Sequence, residues 1–327
     1  MSTIDSQNTP ITLAGIDIGS NTFRLLAAKF EEGNLIPIVK KLITVRLSEN
    51  LAATNMLSDD ALKRALSALG QFAEILNRVH PQHVRVCGTA ALRLADNSDY
   101  FLDLARKTLG HPLEIISGEQ EALLSLQGSL TRLQMQTKEP VLLTDVGGGS
   151  TELVYVEKIP ATETCKNDLQ PTTTSITLGV VGLTETFLSK SIPSHEEIER
   201  LTTHIQDHLT AGLKKTSAPL KSKPSIIVGS GGTATSMAAL DLGLTEYNEE
   251  KVQNHSISEE RMEKLWQQLT KLTVEERNNL PGLGEGRGEI IVAGIRIYQV
   301  LLKLFKLDHM VVSDAGLLEG IALSCVT

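Results

Sequence analysis

A short motif that occurs twice limits the folds this chain can adopt. Residues 16–22, Ile-Asp-Ile-Gly-Ser-Asn-Thr, match residues 144–150, Thr-Asp-Val-Gly-Gly-Gly-Ser, so that Asp17 corresponds to Asp145. The copies are too far apart for a solenoid repeat, and each opens a β-turn-β pattern that continues into α/β units. The repetition predicts an α/β protein with two copies of one domain on either side of a cleft. The alternative is two unrelated turns that both use Asp and Gly.

The same order of elements is predicted in both halves. β-rich segments come first in each half, and strands alternating with helices follow them. A polar break at 137–140 separates the halves. The predicted domains are residues 11–133 and residues 139–312. The final helix, at about 313–326, is expected to return and pack on the first domain.

Charge and composition exclude several classes of protein. The chain has 31 Lys and Arg against 39 Asp and Glu, a formal net charge of −8. Binding to nucleic acid or to an anionic membrane generally needs a basic excess, so neither is expected as a partner. The 3 cysteines lack Cys-x-x-Cys spacing. The N-terminus lacks the apolar core of a signal peptide, and no apolar run is long enough to span a bilayer. A cytoplasmic location is therefore expected.

Three glycine-rich loops follow β-rich segments and suit an anion. Bare backbone N–H groups can converge on one anion, and a helix N-terminus adds to this. None of the loops has the P-loop pattern, and the middle one lies between two apolar strands, where a linker would not be placed. An extended phosphate ligand is therefore predicted. Its candidate binding residues are Ser20, Asn21, Thr22, Gly147, Gly148, Gly149, Ser150, Gly231 and Gly232.

Several carboxylates lie close to these loops in the sequence. Asp17 and Asp145 directly precede their turns, and Glu152 lies across the hairpin from Asp145. Oxygen ligands of this kind suit Mg²⁺, so these three residues are the predicted metal ligands; the alternative for Asp145 is an Asx-turn. Glu121 lies at the start of a predicted helix, where an acidic residue is ordinarily only a partner of the helix dipole.

Segments throughout the chain resemble the exopolyphosphatase / guanosine pentaphosphate phosphatase family, from about residue 13 to 323. They are AGIDIGSNTFRLL, GTAALRLADN, IISGEQEALLSLQG, LLTDVGGGSTELV, IIVGSGGTATSMAAL and VSDAGLLEGIAL. DVGGGSTE together with ISGEQEA is much more specific than any single glycine loop. The resemblance implies two duplicated ribonuclease H-like α/β domains, as in actin and sugar kinases, with the substrate between them.

The resemblance also implies a reaction and a role for particular residues. The family removes a terminal phosphoryl group from polyphosphate or from pentaphosphate guanosine (pppGpp) with Mg²⁺. For this chain, Mg²⁺ or Mn²⁺ is therefore the expected cofactor. Its catalytic base falls on Glu121 and its phosphate-binding arginine on Arg93. Its metal and phosphate positions fall on Asp145, Gly147 and Glu152, and donors of its first loop on Ser20, Asn21 and Thr22.

Three departures from the family pattern leave other functions open. Gln120 stands where the family has the first glutamate of its Glu-Glu pair, and Leu318 stands where it has an arginine. The HD-type C-terminal domain of longer members is not expected here. The leading interpretation is a hydrolase that releases orthophosphate from polyphosphate, and a pppGpp phosphohydrolase is the first alternative. An ATP-binding phosphotransferase and a non-catalytic polyphosphate sensor are the others. The oligomeric state is open, with a homodimer as the candidate.

Two further features can be explained without a functional role. His204 and His208 are four residues apart on a predicted helix, but no third metal ligand accompanies them. Arg287 adjoins a glycine-rich loop, where it either reaches phosphate or is simply exposed.

Overall fold

Two mixed β-sheets, one in each half of the chain, organise the computed structural model. It describes residues 10–135, 137–159, 169–215, 220, 222–284 and 286–326. The strands are β1 (Ile11–Ile18), β2 (Thr22–Glu31), β3 (Asn34–Thr44), β4 (His83–Gly88), β5 (Glu114–Ile115), β6 (Val141–Val146), β7 (Thr151–Val156), β8 (Thr172–Ile176), β9 (Ile226–Ser230), β10 (Ser256–Ser258) and β11 (His309–Val312). The helices are α1 (Leu51–Thr54), α2 (Asp59–Val79), α3 (Ala90–Leu94), α4 (Ser98–Leu109), α5 (Gly118–Leu130), α6 (Val180–Phe187), α7 (His195–Lys214), α8 (Gly231–Asp241), α9 (Glu249–Val252), α10 (Glu259–Leu269), α11 (Val274–Asn278), α12 (Ile291–Phe305) and α13 (Leu317–Leu323).

The two sheets have matching strand orders. The first is β3-β2-β1-β4-β5, and the second, read from its other edge, is β8-β7-β6-β9-β11-β10. In each sheet the first two strands are antiparallel, and the central strand pairs in parallel with the fourth. The prediction of a duplicated α/β fold is therefore confirmed. Five short elements, α1, α3, α9, α11 and β10, were not predicted. β10 extends the second sheet by an antiparallel pairing with β11.

The central strands are covered on both faces, which explains their apolar sequences. Every residue of β6 and β7 is buried, as expected for strands that have helices on either side of the sheet. One large core cluster packs around α2 in the first half. The other packs around α8 and α12 in the second half. Among the described residues, no helix is long and apolar enough to cross a membrane.

The last helix, α13, packs against α5 and β1 of the first half. The approach is close enough to require glycine: a Cβ on Gly128 would lie 1.8 Å from the carbonyl oxygen of Gly316, and one on Gly320 would lie 1.9 Å from that of Leu124. Leu318, which departs from the family pattern, is buried against Leu26 of β2. An apolar side chain fits that place. We propose residues 11–133 with 313–326 as one domain and 139–312 as the other.

Candidate active site

The cleft between the two halves encloses about 780 Å³, part of it open to solvent. The carboxyl ends of β1 and β6 and the first turns of α5 and α8 contribute to its walls. Both glycine turns and the start of α8 lie on it through Ser20, Asn21, Thr22, Gly147, Gly148, Gly149, Ser150, Gly231 and Gly232. Asp17, Asp145 and Glu121 line it as well. Arg93 and Glu152 are not among the described residues that line it.

The two β-turns at the cleft are structural copies of each other. The N–H of Gly19 donates to the carbonyl oxygen of Thr22 at 3.2 Å, and the N–H of Gly147 donates to that of Ser150 at 2.9 Å. The turns also touch across the cleft. A Cβ on Gly149 would lie 2.6 Å from Oγ of Ser20, so a side chain at this position of the second turn would collide with the first.

The third loop brings the N-terminus of α8 to the same cavity. Gly231 has a φ of +77°, and a Cβ there would lie 2.3 Å from Oδ1 of Asp145. Glycine is therefore needed both for the backbone conformation and for the approach to the carboxylate. The first N–H groups of a helix have no partner within it, so this terminus can bind an anion in the cleft.

Asp17 and Asp145 occupy equivalent positions near the ends of β1 and β6. Oδ2 of Asp17 accepts a hydrogen bond from Nε of Arg24 at 2.8 Å and forms an ion pair with Nη2 of the same side chain at 2.7 Å. Oδ2 of Asp145 accepts one from Oγ of Ser125 at 3.2 Å. Burial raises the pKa of both carboxyl groups, and Arg24 opposes this rise. The two buried charges are therefore only partly balanced by the protein.

The carboxylate oxygens at this site are suitable ligands for a magnesium ion that is bound together with phosphate. Oδ1 of Asp17 is buried and makes no hydrogen bond to the described residues. No group of three or more His, Cys, Asp or Glu side chains in the described part of the chain could hold a metal alone. Mg²⁺ commonly uses one or two carboxylates and takes its remaining ligands from water and substrate phosphates. Asp17 and Asp145 meet that requirement.

Glu121 is held at the edge of the cleft by the start of α5. Ser117 caps this helix: its Oγ accepts from the N–H of Gln120 at 3.2 Å, while Oε1 of Gln120 accepts from the N–H of Ser117 at 3.0 Å. This capping box orients the first turn and gives the exposed Gln120 a structural role. Burial raises the pKa of Glu121 to about 7, although Arg93 acts in the opposite direction.

Arg93 and Glu152 form a layer behind Glu121. Nη1 of Arg93 donates to Oε2 of Glu121 at 2.7 Å and to the carbonyl oxygen of Ile116 at 2.9 Å. Oε1 of Glu152 accepts from the hydroxyls of Ser150 at 2.6 Å and Ser175 at 2.8 Å. It lies 3.9 Å from Nη2 of Arg93. In this structure, therefore, Arg93 pairs with Glu121, and Glu152 faces Arg93.

Two arginines on the cleft wall were not predicted as site residues. Arg24 is the cross-strand partner of Asp17, as Glu152 is of Asp145, so the repeated hairpin could have revealed it. Arg287 reaches the cleft from the second half. Its Nη1 donates to the carbonyl oxygen of Gly232 and, at 2.7 Å, to Oγ of Ser236. Its position depends on a loop path that a sequence pattern does not give.

The chain also matches a known protein family. The model of the Ppx/GppA phosphatase family matches residues 26–327. The chain belongs to the Ppx/GppA phosphatase family. The resemblance drawn from its motifs is thus confirmed.

This Ppx/GppA family member is similar to relatives with two different names. It is 30% identical to the guanosine-5'-triphosphate,3'-diphosphate pyrophosphatase of Vibrio vulnificus, over 96% of this chain but only 59% of that protein. It is 29% identical to Exopolyphosphatase 2 of Mycobacterium tuberculosis, over 95% of this chain and 98% of that protein. The chain thus spans less than two thirds of the first relative and nearly all of the second.

Solved structures share the fold of this Ppx/GppA family member along almost its whole length. An exopolyphosphatase from Cytophaga hutchinsonii matches with a TM-score of 0.85 and 25% identity, covering 97% of this chain and 98% of that chain. A family member from Aquifex aeolicus matches with a TM-score of 0.77 and 28% identity, covering 97% of each chain.

Proposed function

We propose that this Ppx/GppA family member is an exopolyphosphatase, a hydrolase that releases the terminal orthophosphate of inorganic polyphosphate. The observation that carries the proposal is the buried Glu121 on a cleft that also contains two glycine turns and a helix N-terminus. Its pKa of about 7 suits a general base at neutral pH. The full-length match to a relative named exopolyphosphatase adds support.

Glu121 activates the attacking water in the proposed reaction. Arg93 occupies Oε2, which leaves Oε1 to accept a hydrogen bond from a water molecule. As the water oxygen bonds to the terminal phosphorus and the bridging P–O bond breaks, Glu121 takes the water proton. The shortened chain leaves with the bridging oxygen.

Stabilisation of charge on the transferred phosphoryl group is the larger part of such catalysis. The N–H groups of the two turns and of α8 can donate to phosphate oxygens, and Arg24 and Arg287 add positive charge to the cleft wall. Asp17 and Asp145 would hold a Mg²⁺ or Mn²⁺ ion, which would neutralise further phosphate charge when bound. Glu152 would act on this site indirectly, through Arg93.

A pppGpp phosphohydrolase is the second candidate, favoured by a cavity beside the glycine turn. This cavity of about 860 Å³ shares Gly148 and Gly149 with the cleft and is largely apolar, with Leu51, Leu183 and Phe187 in its walls. Its size and chemistry suit a nucleoside next to bound phosphates. The name of the Vibrio vulnificus relative agrees with this candidate.

A substrate panel distinguishes these functions. Orthophosphate release is measured from long-chain polyphosphate, tripolyphosphate, pppGpp and ATP, with the Glu121→Gln variant as control. Fastest release from polyphosphate supports the proposal, and fastest release from pppGpp replaces it with the second candidate. Transfer of the phosphoryl group to added ADP would indicate a phosphotransferase, and binding without turnover would indicate a sensor.

The remaining proposals concern location and assembly. We propose a cytoplasmic protein without nucleic-acid or membrane partners, supported by the net charge of −8 and by the free thiols of the two described cysteines, Cys87 and Cys325. Cys165 lies outside the described residues. Sedimentation analysis tests the homodimer that we retain as the candidate assembly.

A further inference from the structure

A second polar cavity, of about 1000 Å³ and open to solvent, lies at the rim between the two halves. Arg46 and Arg64 line it from the first half, and Asn278 and Gly286 line it from the second. It contains none of the proposed catalytic or metal-binding residues.

This rim cavity lies next to the cleft, because neighbouring residues line the two cavities. Thr22 lines the cleft, and its cross-strand partner Thr44 lines the rim cavity. The N–H of Arg46 donates at 2.8 Å to the carbonyl oxygen of Asn21, a residue of the first phosphate turn. On the other side, Gly286 faces the rim cavity while the next residue, Arg287, reaches into the cleft. A chain that leaves the cleft here would pass the two arginines.

The guanidinium groups of Arg46 and Arg64 are held by contacts within the protein but remain accessible to solvent. Arg64 is anchored because its Nε donates to the carbonyl oxygen of Val45 at 2.7 Å. Arg46 and Arg64 each pair with one carboxylate, Glu289 at 3.0 Å and Glu49 at 2.7 Å. The four side chains are 36–40% exposed, and exposed pairs of this kind contribute little stability. A polyanion can therefore displace the carboxylates, and arginine binds phosphate with two parallel hydrogen bonds.

We propose that Arg46 and Arg64 form a distal subsite for the part of a polyphosphate chain that extends beyond the cleft. The proposal rests on the exopolyphosphatase function and adds a determinant of chain length to it. The other cavity that adjoins the cleft is largely apolar, so a row of phosphates would be poorly solvated there. Substrates too short to leave the cleft do not reach the subsite.

The first test removes one of the two charges. Binding of long-chain polyphosphate and of tripolyphosphate is measured calorimetrically for the Glu121→Gln protein, which should bind these ligands with little hydrolysis, and for the same protein with Arg46→Gln added. Because a charge-assisted phosphate contact is lost, the variant should bind the long chain about tenfold more weakly. The preference for the long chain over tripolyphosphate should fall by the same factor. Arg78→Gln, on the exposed side of α2, is the matched control and should leave this preference unchanged.

The second test predicts a change in the opposite direction. Glu289→Gln removes the carboxylate that competes for Arg46, so long-chain polyphosphate should bind more tightly. Glu275→Gln, an exposed position on nearby α11, is the control. An unchanged long-chain preference in both Arg46→Gln and Glu289→Gln would overturn the subsite. Arg64→Gln is a weaker test because it would also remove the hydrogen bond from Arg64 to the carbonyl oxygen of Val45.

These binding measurements need no turnover, so they separate the subsite from the function. A protein that releases no phosphate but binds long chains through Arg46 would refute the exopolyphosphatase and retain the subsite. A protein that releases phosphate and shows no role for Arg46 would do the reverse.

Discussion

A sequence pattern alone does not show whether Glu121 is a partner of the helix dipole or a catalytic base. An acidic residue in a first helical turn is usually a dipole partner, and only burial at the cleft with Arg93 on Oε2 makes it a candidate base. We therefore predict that Glu121→Gln retains the fold and polyphosphate binding while kcat falls by about 10²–10⁴-fold. Gln120→Glu, next to it, should stay within a few-fold of the parent because Gln120 is exposed. A near-normal kcat in Glu121→Gln would assign the base to another residue.

The pH dependence of turnover should reflect the same group. The base acts when it is deprotonated, and its pKa is raised from 4.5 to about 7. The rate should therefore rise as the pH increases through about 7 and fall at lower pH. This acid limb of the pH–rate profile is measured from kcat between acidic and mildly alkaline pH. Far-UV circular dichroism shows whether the protein stays folded over that range. A limb near the ordinary glutamate value would contradict the assignment.

Arg93 gives a test that separates two roles. The family resemblance makes it a phosphate ligand, whereas the structure shows it bonded to Glu121. Because Arg93 lowers the pKa of Glu121, Arg93→Ala should reduce kcat and move the acid limb to higher pH. If KM for polyphosphate rises instead and the limb stays in place, Arg93 contacts phosphate directly.

The sequence predicted which glycine turns line the cleft, but it did not predict where the charged side chains of Arg93 and Glu152 lie. The glycine turns and the two aspartates follow from a motif that repeats in the chain, and all of them lie on the cleft. The positions of Arg93 and Glu152 behind that wall depend on side-chain directions and on Ser150 and Ser175. Motif spacing does not contain this information.

At the scale of elements, the close packing of α13 on α5 leaves no room for a side chain at Gly128 or Gly320. Gly128→Ala would place a Cβ 1.8 Å from the backbone oxygen of Gly316. We expect a loss of about 2 kcal/mol or more in the free energy of unfolding, measured by urea denaturation, because backbone atoms would have to move. The control is Gly70→Ala in α2, where nothing lies within 4 Å of an added Cβ. It should stabilise the protein by about 0.5–1 kcal/mol, so equal effects would contradict the packing argument.

The long elements were predictable because periodicity and turn residues mark them. The buried strands β6 and β7 follow directly from their apolar runs. The short β10 and α11 contain three and five residues. Segments of that length give too few positions for a period to show, and tertiary pairing with β11 determines β10.

At the scale of the whole molecule, two buried aspartates from different halves line the same cleft. Burial raises the pKa of both, and a divalent cation would offset their charge. We predict that phosphate release requires Mg²⁺ or Mn²⁺, and that Asp145→Asn needs a much higher Mg²⁺ concentration for half-maximal rate. The exposed Asp60→Asn serves as the control. Full activity in excess chelator would rule out the metal.

In the proposed reaction, a water molecule activated by Glu121 receives the terminal phosphoryl group. Hydrolysis of polyphosphate in ¹⁸O-labelled water, followed by mass analysis of the orthophosphate, tests it most directly. The proposed reaction predicts one solvent oxygen in each released orthophosphate, with release strongly slowed in Glu121→Gln. Orthophosphate without label, or label released at the parent rate by Glu121→Gln, would contradict it.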